Sequence, residues 1–418
     1  MSKQYIISGI DIGNSQVKAV IARLNSESLI PEILGAGSAP SNGLRRGMVV
    51  DMEETIENVH AAVQRAEAMA GTSIKRVYLG INGLHIKTQV SRGVIAVSRA
   101  DNEISQSDID RVLQAASVVS LPANREILHV IPRNYVVDGV EYVKNPIGMK
   151  GVRLEADVLI IDGLSPYLRN VAKCVNANGI EVAGLVYSPL ASSLTVLDKN
   201  QKEYGVVNID FGGGTSSLTV FEEADMLYSS VLPVGSKHIT NDLAVLLRTS
   251  IDVAERIKLE HGSTSDAEDL RRKGEVDLSK LLGEENFVMQ KKHLIKAIDA
   301  RVNELFDLVG NELKKVPRSG LLPAGIILSG GGANLPGIGL LAKERFKLPV
   351  RIGRALNVDG IADIVDDPSF SVAIGLIMWG IESEMGGGGA RSKSHISSSG
   401  SGDESLKKLK GWLKNFLP

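Results

Sequence analysis

The order of apolar and polar positions along the chain predicts two successive units in which strands alternate with helices. In the first unit, apolar runs indicate strands at 5–24, 29–38 and 77–81, and a spacing near 3.6 between apolar residues indicates a helix at 51–70. In the second unit, strands are predicted at 205–209, 217–221, 325–329 and 350–353, with helices at 338–346 and 371–383. Both units are therefore expected to be of the α/β class.

Three stretches depart from this pattern. From about Gly83 to Asp162, short strands surround one helix, which predicts a compact α+β insert. The segment 235–322 is rich in helices, and its longest predicted helix, 292–315, has one buried apolar stripe. After Met385 the composition changes to glycine and serine, which predicts a flexible linker.

The C-terminal stretch 403–418 has the pattern of an amphipathic helix. At about 100° per residue, its apolar side chains fall within an arc of about 140° and its four lysines lie outside that arc. Tryptophan and cationic side chains suit the interface of an anionic membrane. The predicted membrane-facing residues are Leu406, Leu409, Trp412, Leu413, Phe416 and Leu417.

Bulk composition narrows the class of protein. The chain has 418 residues, 43% of them hydrophobic, and a formal net charge of −2, so two to four globular domains are expected and nucleic acid is not an expected partner. No apolar run reaches the roughly 18 to 20 residues that cross a bilayer, and the N-terminus enters a strand directly, so a cytoplasmic location is expected. The single cysteine, Cys174, lies in an apolar helical pattern and is interpreted as a core residue.

The candidate chemistry begins at residues 208–215, where an apolar strand runs into Asp210 and then three glycines. Consecutive glycine amides can approach an anion closely, and the Asp210 carboxylate and the Thr215 hydroxyl would lie beside it, so the group fits a metal-bound phosphate. Taken alone, these eight residues fit a glycine-rich hairpin turn equally well.

The same order of strand, aspartate, glycine, hydroxyl and strand occurs at residues 8–20, with Asp11 as the carboxylate. A third loop at 329–333 again places glycines after an apolar strand. Because the two aspartate loops lie about half the chain apart, they predict two related halves that face each other across one cleft.

These three loops resemble those of the actin, hexokinase and 70-kDa heat-shock ATPase superfamily. Together with the insert, the segment 250–258 and the amphipathic tail, they resemble the FtsA family of bacterial cell-division proteins over all of the chain except the linker. The resemblance implies duplicated actin/ribonuclease-H-like halves around an ATP cleft, with the small α+β subdomain inserted in the first half.

The resemblance also implies the domain limits. The first-half core is expected at 1–83 and 163–194, the insert at 84–162, the second-half core at 195–234 and 323–385, the helix-rich subdomain at 235–322, the linker at 386–402 and the membrane-targeting helix at 403–418.

The ligand implied by the resemblance is Mg-ATP. Asp11 and Asp210 would hold Mg²⁺ through water, because magnesium dehydrates reluctantly. Asn14 stands where many relatives carry a small or hydroxyl residue. The residues implied to contact the nucleotide are Gly13, Asn14, Ser15 and Lys18, then Gly212, Gly213, Gly214 and Thr215, then Glu255 and Lys258 on the ribose and adenine, and Gly330, Gly331, Gly332 and Ala333 over the nucleoside.

The partners implied by the resemblance are the C-terminal peptide of the tubulin-like ring protein FtsZ, further copies of the chain in a filament, anionic lipids and later division proteins. Arg301 and Glu304, opposite the buried stripe of the long helix, are the candidate FtsZ contacts. The expected function is an ATP-binding polymer subunit that anchors the division ring at the cytoplasmic membrane, and the sequence leaves open whether it is also a slow ATPase. The alternatives are a small-molecule kinase of the same superfamily, which needs a catalytic aspartate beside a substrate hydroxyl, and a chaperone-type ATPase, which needs a peptide-binding β domain.

Overall fold

A computed structural model of the chain describes residues 5–24, 30–264, 274–283, 286–316 and 322–385. The strands are β1 Tyr5–Ile12, β2 Gln16–Leu24, β3 Glu32–Pro40, β4 Leu44–Arg45, β5 Met48–Val49, β6 Arg76–Ile81, β7 Lys87–Ala96, β8 Arg125–Val137, β9 Val140–Val143, β10 Arg153–Leu164, β11 Glu181–Tyr187, β12 Val206–Phe211, β13 Ser216–Glu222, β14 Asp225–Leu232, β15 Glu275–Asp277, β16 Val288–Gln290, β17 Ile326–Ser329, β18 Val350–Ile352 and β19 Asp359–Gly360. The helices are α1 Met52–Ala70, α2 Gln106–Ser117, α3 Ser165–Asn176, α4 Ser188–Val196, α5 Lys199–Tyr204, α6 Ser236–Leu247, α7 Ile251–His261, α8 Ser279–Leu282, α9 Lys291–Leu313, α10 Ile338–Phe346, α11 Ala362–Val365 and α12 Ser371–Met385.

The two large sheets share the topology of five strands, and the first sheet has β19 as a sixth. The first has the order β11-β6-β1-β2-β3-β19 and the second the order β14-β13-β12-β17-β18. In each, a strand that ends in the candidate aspartate pairs antiparallel with the next strand and parallel with a later one, as β1 does with β2 and β6, and β12 with β13 and β17. The predicted duplication of α/β halves is confirmed by this repeated pairing.

Helices cover both faces of the first sheet. Helix α1 packs on β2 and β3, while α12 packs on β1, β2 and β6. The N-terminus of α1 is capped by the Asp51 side chain, which accepts from the Glu54 amide at 3.0 Å, and its C-terminus ends at Gly71 with φ 65°. Cys174 of α3 is fully buried in this region, which confirms its interpretation as a core residue.

The insert between β6 and α3 forms a four-stranded sheet of order β7-β10-β8-β9 with α2 on one face. Its own core joins one side of α2 to the inward residues of β8 and β10, which confirms the predicted α+β subdomain. Glycine is required at position 93, because a Cβ there would lie 2.2 Å from the Val112 carbonyl oxygen of α2.

The insert also contacts the second half directly. Lys144 Nζ bonds to Asp225 Oδ2 at 2.5 Å and to the Glu223 carbonyl at 2.6 Å, and Thr88 Oγ1 donates to the Ser229 carbonyl at 2.9 Å. At the base of the insert, a buried ion pair between Arg125 and Asp162 ties β8 to β10. The Tyr187 amide of β11 donates to His129 Nε2 of β8 at 2.9 Å, so the insert is held by polar contacts to both halves.

Helices α4 and α12 cross very closely between the halves. Helix α4 is buried along its whole length. At Gly375 of α12, a Cβ would lie only 1.9 Å from the Ala191 carbonyl oxygen of α4, so glycine permits the contact. The small residues Ala191 and Ser192 of α4 thus pack on α12 and on the Ser329 hydroxyl, which lies 3.0 Å from Ser192 Oγ.

Helices α6, α7 and α9 form the helix-rich part of the second half. The predicted stripe on α9 is buried against α6 and the second sheet, with Leu294, Ile298, Val302, Leu305, Phe306 and Val309 all at most 1% exposed. No described helix combines the length and apolar character that crossing a bilayer would need.

Some elements were not predicted from the sequence. The strands β9 and β14 and the short helix α5 were missed, because their residues mix polar and apolar types and gain regularity from neighbours in the fold. Strand β8 runs from Arg125 to Val137, because its pairing with β10 continues through two register shifts. The linker and tail predictions fall at 386–418, outside the described residues.

Candidate functional site

Two carboxylates lie at equivalent ends of the two sheets. Asp11 is in β1 and Asp210 in β12, and each is followed by the turn of a hairpin. Burial raises the pKa of Asp11 to about 6, against the opposing attraction of Lys18. Burial also raises the pKa of Asp210 to about 7, and the nearby charge of Asp11 adds to the increase. A cation placed between the two carboxylates would be stabilised, because it would compensate their lost hydration.

Backbone amides of both glycine loops are available to an anion. Within the described part of the chain, the amides of Asn14 and Ser15 in the first loop and of Gly213 and Gly214 in the second donate no hydrogen bond. The start of α6 holds the second loop in place. The Gly212 carbonyl accepts from the amide of residue 236 at 2.9 Å, and the Gly213 carbonyl accepts from the amide of residue 237 at 2.8 Å. These bonds fix the second loop while the amides of Gly213 and Gly214 remain available to an anion, as in anion-binding loops.

The two loops touch each other. A Cβ on Gly213 would lie 2.0 Å from Ser15 Oγ, and one on Gly214 would lie 2.7 Å from Asn14 Cγ. The Asn14 side chain accepts from the Gly47 amide at 3.0 Å, so its carboxamide oxygen is used to hold the loop at residues 40–47. Glycine is needed in the second loop because any side chain would collide with the first.

Lys18 lies directly opposite Asp11 on β2. Its ammonium donates to the Ser369 carbonyl and lies 4.9 Å from the centre of the Phe370 ring. Burial lowers its pKa, opposed by the attraction of three carboxylates, those of Asp11, Asp367 and Asp210. The predicted residue thus lies beside both candidate metal ligands.

The third loop closes against the second. Asp210 pairs with Ser329 across the parallel strands β12 and β17, so both loops leave the sheet at one edge. Gly330 has φ 78°, and a Cβ there would lie 2.2 Å from Asp210 Oδ1. Gly331 begins a short 3₁₀ helix, Gly331–Asn334, which includes the predicted Gly332 and Ala333.

The predicted ribose and adenine residues lie on α7 and contact α6. Lys258 Nζ donates to Glu255 Oε2 at 2.7 Å and to Thr240 Oγ1 at 3.0 Å. Thr240 also bonds to Glu255. These contacts fasten α7 to the helix whose first residues support the second glycine loop.

Three polar contacts at the site were missed by the sequence reasoning. Lys237 Nζ donates to the Asn14 carbonyl at 2.6 Å, and Asn82 Nδ2 donates to Ser217 Oγ at 2.8 Å. Asp367 accepts from the Ser369 amide at 2.8 Å in the segment that meets Lys18. For Asp367 the signal was an aspartate before Pro368, which is typical of a helix start. The other two pairs join distant segments and carry no local signal.

The candidate FtsZ contacts lie on α9, away from the glycine loops in sequence. Arg301 forms two hydrogen bonds to Asp242 of α6, at 2.7 and 2.8 Å, and also pairs with Glu304. Its side chain is 25% exposed and that of Glu304 is 49% exposed. Arg301 therefore has a structural contact in addition to any contact with a partner.

Comparisons with known structures show the fold. The "PilM-PilN type IV pilus biogenesis complex" aligns at a TM-score of 0.65 and 17% identity, covering 90% of this chain and 98% of that chain. MreB5 of Spiroplasma citri bound to ADP aligns at 0.53 and 15% identity, covering 90% and 95%. The fold is therefore the actin-like one.

Comparisons of sequence show the family. The model described as "SHS2 domain inserted in FTSA" matches residues 83–162, and the model described as "Cell division protein FtsA" matches residues 207–375. The chain is 37% identical to cell division protein FtsA of Pseudomonas aeruginosa, covering 98% of both chains. It is 33% identical to FtsA of Escherichia coli K12, covering 98% of this chain and 97% of that one. The chain belongs to the FtsA family of cell division proteins.

Proposed function

We propose that the chain binds Mg-ATP between its halves. The observation that carries this proposal is the set of four unbonded amides, at Asn14, Ser15, Gly213 and Gly214, which both glycine loops present beside buried carboxylates. Phosphate oxygens are the ligands such amides bind. The Thr215 hydroxyl, next to the second loop, and Gly13 and Gly212, which form the turns, complete the phosphate site.

The metal would be held by Asp11 and Asp210. No group of three histidine, cysteine or acidic side chains suited to a metal was found within the described ranges. A site with two carboxylates leaves most of the coordination to water and phosphate, which is how magnesium commonly binds with nucleotides. Lys18 would neutralise part of the negative charge gathered there.

The nucleoside would lie between α7 and the third loop. Glu255 and Lys258 offer a carboxylate and an ammonium to ribose and adenine, and the third loop would lie on the other side of the nucleoside. MreB5 of Spiroplasma citri has this fold and has been solved bound to ADP and to AMPPNP. That fact supports a nucleotide in the corresponding cleft.

The experiment for this site is a titration of ATP with and without Mg²⁺. Asp210→Ala and the isosteric Asp210→Asn are both expected to abolish Mg²⁺-dependent binding, because each removes one of the two metal carboxylates. Asp363→Ala, at an exposed aspartate of α11, is the matched control and is expected to bind as the parent does. Unchanged affinity in both Asp210 variants would overturn the metal site.

At the level of the cell, we propose that the protein polymerises at the cytoplasmic face of the membrane and anchors the FtsZ ring. Family membership supports a role at the division site. The amphipathic pattern at 403–418 supports peripheral attachment to anionic lipids. The charged pair Arg301 and Glu304 supports a site for the FtsZ C-terminal peptide, and the insert is the proposed surface for later division proteins.

A further inference from the structure

Lys237 is joined to both glycine loops. Its backbone amide donates to the Gly213 carbonyl of the second loop at 2.8 Å. Its ammonium crosses the cleft and donates to the Asn14 carbonyl of the first loop at 2.6 Å and to the Ser41 carbonyl at 3.3 Å. One residue of α6 therefore bridges the two halves at the place where the phosphates are proposed to bind.

The charge of this ammonium has little direct compensation. Both of its hydrogen-bond acceptors are carbonyls, and no carboxylate within the described ranges forms an ion pair with it. Burial lowers the pKa of Lys237, Glu255 and Glu54 raise it through their charges, and Lys258 lowers it further. Two of the three ammonium protons are bonded to carbonyls, which leaves a third proton for an additional acceptor.

The neighbouring lysines are engaged differently. Lys258 is paired with Glu255 at 2.7 Å, and Lys18 lies among three carboxylates. Lys237 is thus a cation beside both loops that forms no ion pair within the described residues. An anion bound by the loop amides would compensate its charge and would strengthen the bridge between the halves.

We propose that Lys237 couples the closing of the two halves to the binding of a polyphosphate. Its ammonium holds the first loop against the second and is neutralised by the phosphate chain when the nucleotide binds. The inference rests on the proposed ATP site and adds a positioning residue to it. It also predicts which part of the ligand is sensed, namely the phosphates and not the nucleoside.

The test compares the affinities of ATP, ADP and adenosine in an equilibrium competition assay with Mg²⁺. Lys237→Met is expected to weaken ATP by about ten-fold or more, which is the usual effect of losing one charge-assisted hydrogen bond. Adenosine, which has no phosphate, is expected to change less than about two-fold, and Lys237→Arg should recover most of the ATP affinity because it keeps the charge. Lys75→Met, at an exposed lysine of the loop before β6, is the control.

The outcomes separate this inference from the proposed function. If the parent binds Mg-ATP and Asp210→Asn abolishes binding, the ATP site stands. In that case, unchanged ATP affinity in Lys237→Met would overturn the role of Lys237. Equal losses for ATP and adenosine would also overturn it, since they would show that the lysine supports the fold alone. If Lys237→Met does not fold, the comparison is made between Lys237→Arg and Lys237→Gln with the same readout.

Discussion

Glu382 of α12 and Lys202 of α5 are half-buried ionisable residues that attract each other outside the cleft. Burial raises the pKa of Glu382 to about 7 and lowers that of Lys202 to about 8, and each charge partly offsets the shift of the other. Glu382 Oε2 has no hydrogen-bond partner within the described residues. The native state therefore favours the protonated acid more strongly than the unfolded chain does.

A pH dependence of stability follows from this acid. The folded pKa of Glu382 lies above the unfolded value, so the native state binds more protons and its contribution to stability is lost as pH rises from about 4.5 to about 7. Glu382→Gln should remove that loss, and we expect the variant to gain about 1 to 3 kcal/mol over the parent at pH 8 but not at pH 4.5. Urea denaturation at the two pH values measures the difference. A gain of the same size at both would contradict the titration.

Residues of the cleft differ in whether the sequence alone predicts their role. Asp11 and Asp210 were predictable because each stands at the end of an apolar strand and before glycines, which is a local pattern. Lys237 and the Ser369 carbonyl were not predictable, because their partners lie far away along the chain. No local rule assigns contacts that only the packing of two halves creates.

Among the elements, helices α4 and α12 approach each other very closely where they cross. This approach depends on Gly375, where a Cβ would meet the Ala191 carbonyl at 1.9 Å. The apolar pattern predicts α12 at 371–383, but it does not identify the helix that packs on Gly375. A glycine inside an apolar helix does not indicate which other element of the fold packs against it.

Gly375→Ala should therefore destabilise the protein. Relief of the overlap requires the helices to separate, and we expect a loss of about 2 to 4 kcal/mol in the free energy of unfolding. Gly310→Ala in α9 is the matched control, because a Cβ there meets nothing within 4 Å. That variant should gain about 0.5 to 1 kcal/mol from the higher helix propensity of alanine. Chemical denaturation measures the free energy of unfolding of both variants. Similar changes in the two would contradict the packing argument.

The pairing of α6 with α9 affects how the FtsZ site can be tested. Arg301→Glu is expected to weaken binding of the FtsZ C-terminal peptide, measured by fluorescence anisotropy. The same change places a third carboxylate beside Asp242 and Glu304, so it also loosens α9 from α6. The double variant Asp242→Arg with Arg301→Glu restores the ion pair with reversed positions.

Peptide affinity that stays low in the double variant, with thermal stability restored, would show that the peptide contacts Arg301 itself. Affinity that returns with stability would remove Arg301 from the site. Full affinity in the single variant would have the same consequence.

In an assembled filament, we propose that the tails at 403–418 attach the protein to the membrane by binding together in large numbers. Each lysine near an anionic surface contributes about 1 kcal/mol, so one short helix binds weakly and reversibly. A filament that presents many tails would bind firmly because each attached tail raises the effective concentration of the next. Attachment to the membrane would then depend on polymerisation.

Trp412→Glu and deletion of the tail should both prevent co-sedimentation with anionic vesicles. Leu417→Met is a conservative control and should pellet as the parent does, because it keeps the apolar face. The assay is run with Mg-ATP, and the protein that sediments without vesicles is subtracted. If either disruptive variant pellets with vesicles as well as the parent, the anchor lies elsewhere in the chain.

The attachment of the insert to both halves limits how the protein can move. Lys144 and Thr88 hold the insert to the second half, while the insert leaves the chain of the first half between β6 and α3. A hinge motion of one half against the other cannot leave all of these contacts unchanged. Either the bonds to Asp225 and Ser229 break, or the insert rotates and its outer end travels farthest. The position of the insert at the outer surface would then depend on the angle between the two halves, which is set at the cleft.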